Sequence, residues 1–196
     1  MAPRVLFATT NAGKLRELRL LMDGALEVLG LADLPPIPEP AEDAPTFEQN
    51  AQLKAQAYAA ACGLPALADD SGLCVDALGG APGVLSARYA PGDDRARYLK
   101  LLQALEGVPD AQRGASFRCA LALALPGGRT VVEVGACTGR IAHAPRGEHG
   151  FGYDPVFLLA DGRTLAEYGA AEKGRISHRG AAFRLMRPHL LALAQP

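Results

Sequence analysis

Residues 5–29 read VLFATTNAGKLRELRLLMDGALEVL, and this stretch sets the start of the fold. Val5–Ala8 is a short, continuous apolar run, which is typical of a parallel strand buried on both faces. Residues 14–22 have leucine or methionine at helical spacing, and Ala25–Leu29 has the pattern of a second strand. The stretch therefore predicts a β-α-β opening, with polar residues where the first strand ends.

A proline-rich loop and an alanine-rich helix come next. Residues 32–45 contain five prolines and four acidic residues, which predicts an irregular, exposed loop. Thr46, with Gln49 three residues later, resembles a capping box. The pattern predicts a helix that begins there and ends at Cys62, before Gly63.

The middle of the chain predicts one more short strand and one more helix. Ala66–Ala68 is a buried-strand pattern that would deliver Asp69-Asp70-Ser71-Gly72 in a loop at the strand end. Asp93 or Asp94 can cap a helix that runs to about Leu105.

The last third predicts a hairpin and a C-terminal helix. Phe117–Leu125 and Thr130–Thr138 are strand-like and are separated by Pro-Gly-Gly, so we expect an antiparallel hairpin and a mixed sheet. A helix over 177–193 is expected to start with Ser177 as its cap and to be kinked or split at Pro188. Its candidate core residues are Phe183, Leu185, Met186, Leu190 and Leu193.

Composition limits the classes of protein that fit. The 196 residues are 49% hydrophobic and 21% charged, and the net charge is −1, which favours a compact globular protein without a nucleic-acid partner. The four cysteines lie far apart with mostly apolar neighbours, which indicates small buried side chains in a reducing cytoplasm rather than zinc ligands or disulfides. No apolar run reaches the length of a membrane span, so we expect no membrane partner.

The first candidate site is the loop after the first strand: Thr9, Thr10, Asn11, Ala12, Gly13 and Lys14. Hydroxyls, backbone amides and an ammonium group can converge there on a phosphate at a helix N-terminus. The spacing matches neither a Walker A motif nor a dinucleotide fingerprint, and an ordinary polar turn fits the loop equally well.

The second candidate is acidic. Asp69 and Asp70 place two like charges side by side, which is easier to explain if a divalent cation, most naturally Mg²⁺, is bound. Glu42 can supply a further oxygen ligand. An ordinary turn, with a solvated acidic loop, is the alternative.

Two further candidates lie near the C-terminus. Phe151, Gly152, Tyr153, Asp154 and Pro155 combine aromatic rings with a carboxylate, a composition that can stack on a nucleobase, although a tight turn with buried rings fits as well. The second group places two cations, a hydroxyl and an imidazole around the start of the last helix, which suits phosphate or carbonyl recognition or simply a solvated helix start. Its members are Lys173, Ser177, His178 and Arg179.

Together the four candidates favour a nucleotide as ligand, because all of them lie between predicted elements, where binding residues concentrate. Nothing indicates covalent catalysis: Cys137 and His143 have no evident orienting partner, and no GxSxG elbow occurs.

Six motifs, in order, resemble the inosine triphosphate pyrophosphatase family, which hydrolyses non-standard purine nucleoside triphosphates, and the resemblance spans nearly the whole chain. The chain departs from the family at Thr10, where the family often has glycine. The motifs are Thr9–Lys14, Thr46–Ala51 with Lys54, Ala68–Leu73, Gly80–Gly83 with Ser86–Tyr89, Phe151–Pro155, and Ser177–Arg179.

The resemblance implies an α/β fold with a long mixed central sheet and flanking helices, in two lobes around a nucleotide-binding cleft, as one domain over residues 1–196. It implies a homodimer and a small-molecule substrate such as ITP, dITP or XTP, which Mg²⁺-dependent hydrolysis converts to the monophosphate and pyrophosphate. By position, Asp70 would be general base and metal ligand, with Glu42 as a second ligand. Lys14, Ser71 and Lys173 would hold phosphates, Phe151 would stack on the base, and Asp154, His178 and Arg179 would recognise its edge.

Two other hypotheses stay open on sequence alone. A nucleotide sensor would bind the same ligand without releasing pyrophosphate. A related pyrophosphatase would prefer modified pyrimidine triphosphates to ITP.

Overall fold

The computed structural model describes residues 3–22 and 24–194, apart from the side chains of Glu17 and Leu21. Helices and strands alternate along most of the chain, with short 3₁₀ turns between them. In chain order they are β1 (Arg4–Phe7), α1 (Ala12–Met22), β2 (Glu27–Leu29), α2 (Phe47–Cys62), β3 (Ala66–Val75), α3 (Asp94–Ala104), β4 (Gly114–Ala124), β5 (Thr130–Ile141), β6 (Phe157–Leu158), α4 (Ala170–Ile176) and α5 (His178–Ala192).

The described strands form one mixed sheet in the order β2-β1-β3-β4-β5-β6. Strand β1 lies parallel to β2, with Leu6 opposite Leu29, and parallel to β3, whereas β5 and β6 are antiparallel. A tight turn joins β4 to β5, closed by a 2.9 Å hydrogen bond from the Leu125 N–H to the Arg129 carbonyl. The α/β class, the β-α-β opening and the mixed sheet are thus confirmed.

The chain divides into two compact units. The first contains the described residues up to Asp70, Cys119–Gly135 and those from Ala181. Helices α1 and α5 bury their apolar faces against β1, β3 and β4, and the rings of Phe7 and Phe183 meet edge to face at 5.9 Å. The buried side chains of this core include Val5, Leu18, Met22, Leu67, Leu121, Met186 and Leu190.

The second unit, Ser71–Arg118 with Ala136–Gly180, has a core of its own. The rings of Phe117 and Phe157 pack at 4.7 Å, and buried residues of β3, α3 and the later turns surround them. These include Leu73, Leu101, Leu105, Tyr153 and Leu165.

Predicted helix boundaries are largely confirmed. The Thr46 side chain accepts a 3.2 Å hydrogen bond from the Gln49 N–H, and Gly63 ends α2 in the left-handed conformation at φ 68°. Asp93 caps α3 by accepting a 2.8 Å bond from the Ala96 N–H. Ordinary local capping chemistry therefore fixes these ends.

Strand β3 differs from the prediction, because it does not end before the acidic pair. It continues through Asp69-Asp70-Ser71-Gly72 to Val75. Strand β1 pairs with the first part of β3, at Ala66 and Leu67, and β4 is hydrogen-bonded to β3 on its other side. Backbone pairing of this kind outweighs the turn preference of the segment.

The C-terminal helices also differ from the prediction. Helix α4 was not predicted, and α5 runs through Pro188 without being split. Leu185 is exposed rather than part of the core, because the buried Phe183, Met186 and Leu190 occupy the opposite helical face. Burial of Met186 and Leu190 on either side of the proline holds the helix together there.

The cysteines and the membrane prediction have mixed outcomes. All four cysteines are free thiols; Cys119 and Cys137 are buried as expected, whereas Cys62 and Cys74 are only partly buried. Within the described residues, no helix is long and apolar enough to cross a membrane.

Candidate functional site

The first unit brings three carboxylates under each other's electrostatic influence: Glu42, Asp69 and Asp70, here called the acidic cluster. Asp69 and Asp70 lie on β3, and Glu42 lies in the proline-rich loop before α2. Each carboxylate has a partner on a helix: Lys14 of α1, or Asn50 or Lys54 of α2. The cluster is thus built largely on regular secondary structure, which fixes its geometry.

Asp70 has the environment of a base. Its Oδ2 accepts a 2.9 Å hydrogen bond from Nδ2 of Asn50 on α2, which orients the carboxylate. Burial raises the pKa of Asp70, the charges of Glu42 and Asp69 raise it further, and Asn50 and Lys54 partly offset these effects. A carboxylate whose charged form is disfavoured in this way is better able to take up a proton near neutral pH.

Asn50 is itself held firmly. Its side chain is buried, and its Oδ1 accepts a 2.9 Å hydrogen bond from the Ala44 N–H. The proline-rich loop is therefore tied to the helix that orients Asp70.

Lys54 lies one turn after Asn50 on α2 and forms an ion pair with Glu42. Burial lowers the pKa of Lys54, but the hydrogen bond to Glu42 and the negative charges of Asp69, Glu42 and Asp70 outweigh burial, so that the pKa is raised overall. Lys54 therefore stays protonated beside the acidic cluster. It also keeps part of the cluster's negative charge balanced.

Lys14 pairs with the third carboxylate. Its Nζ lies 2.6 Å from Oδ2 of Asp69, whose side chain is 1% exposed. The pair connects the start of α1 to β3. Lys14 thus lies at the acidic cluster, where an ammonium group can neutralise a bound anion.

The loop at residues 9–14 is organised by Asn11. Its Oδ1 accepts hydrogen bonds from the Gly13 and Lys14 amides at 2.8 and 3.1 Å, and its own N–H donates to the Thr9 hydroxyl at 3.1 Å. A Cβ at Gly13 would lie 3.0 Å from that Oδ1, so glycine suits the position. Thr10 and Ala12 are exposed around it.

The acidic cluster fits Mg²⁺. Across the described ranges, no group of three or more His, Cys, Asp or Glu side chains forms a protein-only metal site. Mg²⁺ does not require one, since it typically takes one or two carboxylates and completes its shell with water and substrate phosphates. The donor set of Asp70 and Glu42 is of this kind, and a cation would offset the cost of charging the buried Asp70.

The second unit contains a different group: Phe151, Asp154, Lys173 and Arg179, here called the aromatic cluster. The Phe151 ring is 40% exposed, and two cations lie over it, Lys173 Nζ at 4.6 Å and the Arg179 guanidinium at 5.4 Å from the ring centroid. An exposed ring with cationic side chains close to it is suited to stacking on a flat, electron-rich ligand.

The buried Asp154 connects two members of this cluster, Phe151 and Lys173. The buried carboxylate forms an ion pair with Lys173, and its Oδ2 accepts a 2.7 Å hydrogen bond from the Phe151 N–H. A Cβ at Gly150, where φ is 81°, would fall 2.1 Å from the same Oδ2. Only glycine leaves room for this close approach.

The start of α5 adds donors. The buried Arg179 donates from Nη2 to the Ser71 hydroxyl at 3.3 Å. The buried His178 ring stacks on Phe117 with centroids 4.7 Å apart and an interplanar angle of 11°. Ser177 accepts a 3.1 Å bond from the Gly180 N–H, which makes it the expected cap.

Tyr153 and Gly152 have other surroundings. Tyr153 is buried in the core, its hydroxyl donates to the Ser86 carbonyl at 2.8 Å, and burial raises its pKa well above the ordinary value. Gly152 takes φ 64° and donates its N–H to Asp94. Tyr153 thus supports the loop from within, while Phe151 faces outward.

Sequence reasoning gave no role to Asn50 and Lys54, although both fall in a motif that carried the family resemblance. Their spacing of four places them on one face of α2, which was the available signal. Which carboxylate that face meets depends on β3, and helical spacing alone does not reveal this.

Comparison with known proteins shows the family of this chain. The family model described as "Ham1 family" matches residues 5–189. Proteins called "dITP/XTP pyrophosphatase" from Symbiobacterium thermophilum and Streptomyces avermitilis are 50% and 53% identical to this chain, covering 98% and 94% of it and 97% and 96% of their own lengths. The structure of a HAM1 protein from Coxiella burnetii is 40% identical, with a TM-score of 0.86 over 97% of this chain and 99% of that one. These matches confirm the resemblance found in the motifs, and this chain belongs to the Ham1 family.

Proposed function

We propose that this protein hydrolyses non-standard purine nucleoside triphosphates, among them dITP, ITP and XTP, to the nucleoside monophosphate and pyrophosphate, with residues 1–196 acting as one catalytic domain. The observation that supports this best is the oriented, partly buried carboxylate of Asp70 beside Glu42 and Lys54. The names of its relatives point to the same reaction.

Asp70 acts as the general base. Water adds to phosphorus at the linkage between the α- and β-phosphates, and Asp70 takes the proton that the water loses. The bond from that phosphorus to the bridging oxygen breaks, which separates the monophosphate from pyrophosphate. Asn50 holds the Asp70 carboxylate in place through the 2.9 Å hydrogen bond from its Nδ2 to Oδ2 of Asp70. No covalent intermediate is needed.

Asp70 and Glu42 would hold Mg²⁺. When bound, the ion supplies positive charge that neutralises the phosphate oxygens as negative charge builds up in the transition state. Lys54 adds a second positive charge beside the same carboxylates.

The phosphates are bound by Lys14, Ser71 and the loop of Thr9, Thr10, Asn11, Ala12 and Gly13. Lys14 is suited to this because its ammonium group is anchored by Asp69 and yet partly exposed. Lys173 was assigned to the phosphates by resemblance, but its contacts with Phe151 and Asp154 support a place beside the base.

The base is bound by Phe151, which stacks on the purine, and by Gly152, Tyr153, Asp154, His178 and Arg179, which shape the surroundings or contact its edge. A donor directed at the purine 6-position pairs with the keto oxygen of hypoxanthine or xanthine. Adenine presents an amino group there and leaves that donor unpaired, at a cost of about 1–3 kcal/mol.

A panel of purine and pyrimidine triphosphates, assayed with and without Mg²⁺ and scored for pyrophosphate against orthophosphate, tests the proposal. We expect pyrophosphate from dITP, ITP and XTP only with the metal, and much less from ATP. Binding of ITP without product would instead indicate a nucleotide sensor, and a preference for pyrimidines would indicate the related pyrophosphatase. The homodimer and the cytoplasmic location stay predictions, the first of which light scattering can test.

A further inference from the structure

Helix α3 reaches the loop that carries Phe151. Oδ2 of Asp94, in the first turn of α3, accepts a 2.6 Å hydrogen bond from the N–H of Gly152, the residue that follows Phe151. This contact joins residues 58 positions apart in the sequence. It has no part in capping α3, since Asp93 performs that role.

The Asp94 carboxylate is oriented by a second partner. Its Oδ1 accepts a 2.5 Å bond from Nη1 of Arg97, and Nη2 of Arg97 donates to the Gly92 carbonyl at 3.0 Å. Because both carboxylate oxygens are engaged, the side chain has little freedom to turn away from Gly152.

Two carboxylates thus hold the backbone on either side of the Phe151 ring. Asp154 accepts the Phe151 N–H at 2.7 Å, and Asp94 accepts the next N–H along the chain at 2.6 Å. The ring is substantially exposed, so packing alone does not fix its direction. Its direction depends on these two backbone anchors and on the cations over its face.

We infer that Asp94 is a positioning residue for purine recognition, which acts by holding Phe151 in the orientation that stacks on the base. The inference rests on the function proposed above. Without the hydrogen bond from Gly152 to Asp94, the loop adopts other conformations. Part of the free energy of binding the base is then used to order the loop, so the affinity for the base falls. Asp94 has no role in holding the phosphates in the proposed function, so we expect the groups that act there to keep their geometry.

The test is to compare Asp94→Ala with Asp93→Ala, its neighbour on the same helix. A charge-assisted hydrogen bond corresponds to roughly a tenfold change in an equilibrium constant. For Asp94→Ala we therefore expect KM for ITP and the calorimetric Kd for IMP to rise about tenfold. Both kcat and the inhibition constant of pyrophosphate should stay within about twofold. Asp93→Ala should lower the unfolding temperature through loss of its cap without moving these constants.

A double-mutant cycle with Phe151→Ala shows whether Asp94 acts through the ring. If it does, Asp94→Ala adds little to the Phe151→Ala defect, because the two changes remove the same contribution. Asp94→Asn keeps an acceptor oxygen, so its KM for ITP and Kd for IMP should rise less than those of Asp94→Ala. It replaces the alanine variant in the test if that variant fails to fold.

Additive effects in that cycle, or an equal rise in KM for Asp93→Ala, would overturn the inference. Failure of the wild-type protein to release pyrophosphate from any purine triphosphate would instead overturn the proposed function. The two failures are therefore distinguishable.

Discussion

The acidic cluster and the aromatic cluster are built in opposite ways. Two of the three carboxylates of the acidic cluster lie on the central strand β3, and two of their partners, Asn50 and Lys54, lie on the sixteen-residue helix α2. The aromatic cluster lies on a loop, on the last turn of α4 and on the first turn of α5, and single carboxylates such as Asp154 hold the loop backbone there through hydrogen bonds.

The difference corresponds to two kinds of task. Proton transfer tolerates little misplacement, so its groups belong on elements whose backbone is hydrogen-bonded throughout. Recognition of a flat base needs an exposed surface, which loops provide. Each of the following changes is expected to affect one region and leave the other's readout unchanged.

The largest expected effect is in the acidic cluster. Asp70→Asn keeps the side-chain size and an oxygen for the Asn50 hydrogen bond but cannot take a proton. At saturating Mg²⁺ we expect kcat for ITP to fall by about 10³-fold or more, with a much smaller change in KM, because the lost contribution belongs to the transition state. Near-normal turnover would exclude Asp70 as the base.

The next effect is in the aromatic cluster. Phe151→Ala removes a stacking surface of about 1–3 kcal/mol. KM for ITP should rise roughly 10- to 100-fold, with a much smaller change in kcat. Leu85→Ala, at another exposed apolar side chain of the same unit, is the control and should change neither constant. An equal loss of kcat would mean that the ring does more than bind the base.

Breaking the ion pair at the edge of the acidic cluster should reduce stability. Lys14→Met removes the partner of a buried carboxylate at 2.6 Å, and we expect the free energy of unfolding to fall by about 2 kcal/mol. Arg4→Met breaks a pair in which both side chains are about half exposed, at 3.8 Å, and should change stability by less than about 0.5 kcal/mol. Equal losses of unfolding free energy in the two variants, measured by urea unfolding, would contradict the idea that burial makes the Lys14–Asp69 pair the more stabilising one.

The smallest effects are pH-dependent changes of stability in opposite directions. Burial raises the pKa of Asp70 above its ordinary 3.8, so its contribution to stability is fully present below about pH 4 and is lost as the pH rises. In EDTA at pH 7, Asp70→Asn should therefore unfold at a slightly higher temperature than wild type, and the gain should disappear below pH 4.

Asp161, in the other unit, should behave in the reverse way. Hydrogen bonds from Tyr168 and Arg163 lower the pKa of Asp161 to about 2, so its contribution is present above about pH 4 and is lost as the pH falls through 2. Asp161→Asn should lower the unfolding temperature at pH 7 and much less at pH 2. Shifts of the same sign in both variants would contradict the assigned causes.

The parts of the fold predicted correctly were those with local causes. The β-α-β opening follows from apolar spacing within residues 5–29, and the Thr46 and Asp93 caps follow from side chains that bond to amides three residues away. The course of β3 was not predictable, because a segment rich in Asp, Ser and Gly becomes a strand only through pairing with a strand distant in the sequence, here β4. The exposure of Leu185 likewise depends on which helical face meets the core.

For the site, the sequence by itself determined which residue types were present: adjacent carboxylates, scarce lysines, an aromatic loop and a cationic helix start. Only the tertiary structure decided how they pair, with Lys14 on Asp69, Asn50 on Asp70, Lys173 on Asp154 and Asp94 on the amide beside Phe151. These partners are between 19 and 58 residues apart. Residue chemistry is local and can be recognised from letters and spacing. Pairing across such distances is set by how the whole chain packs.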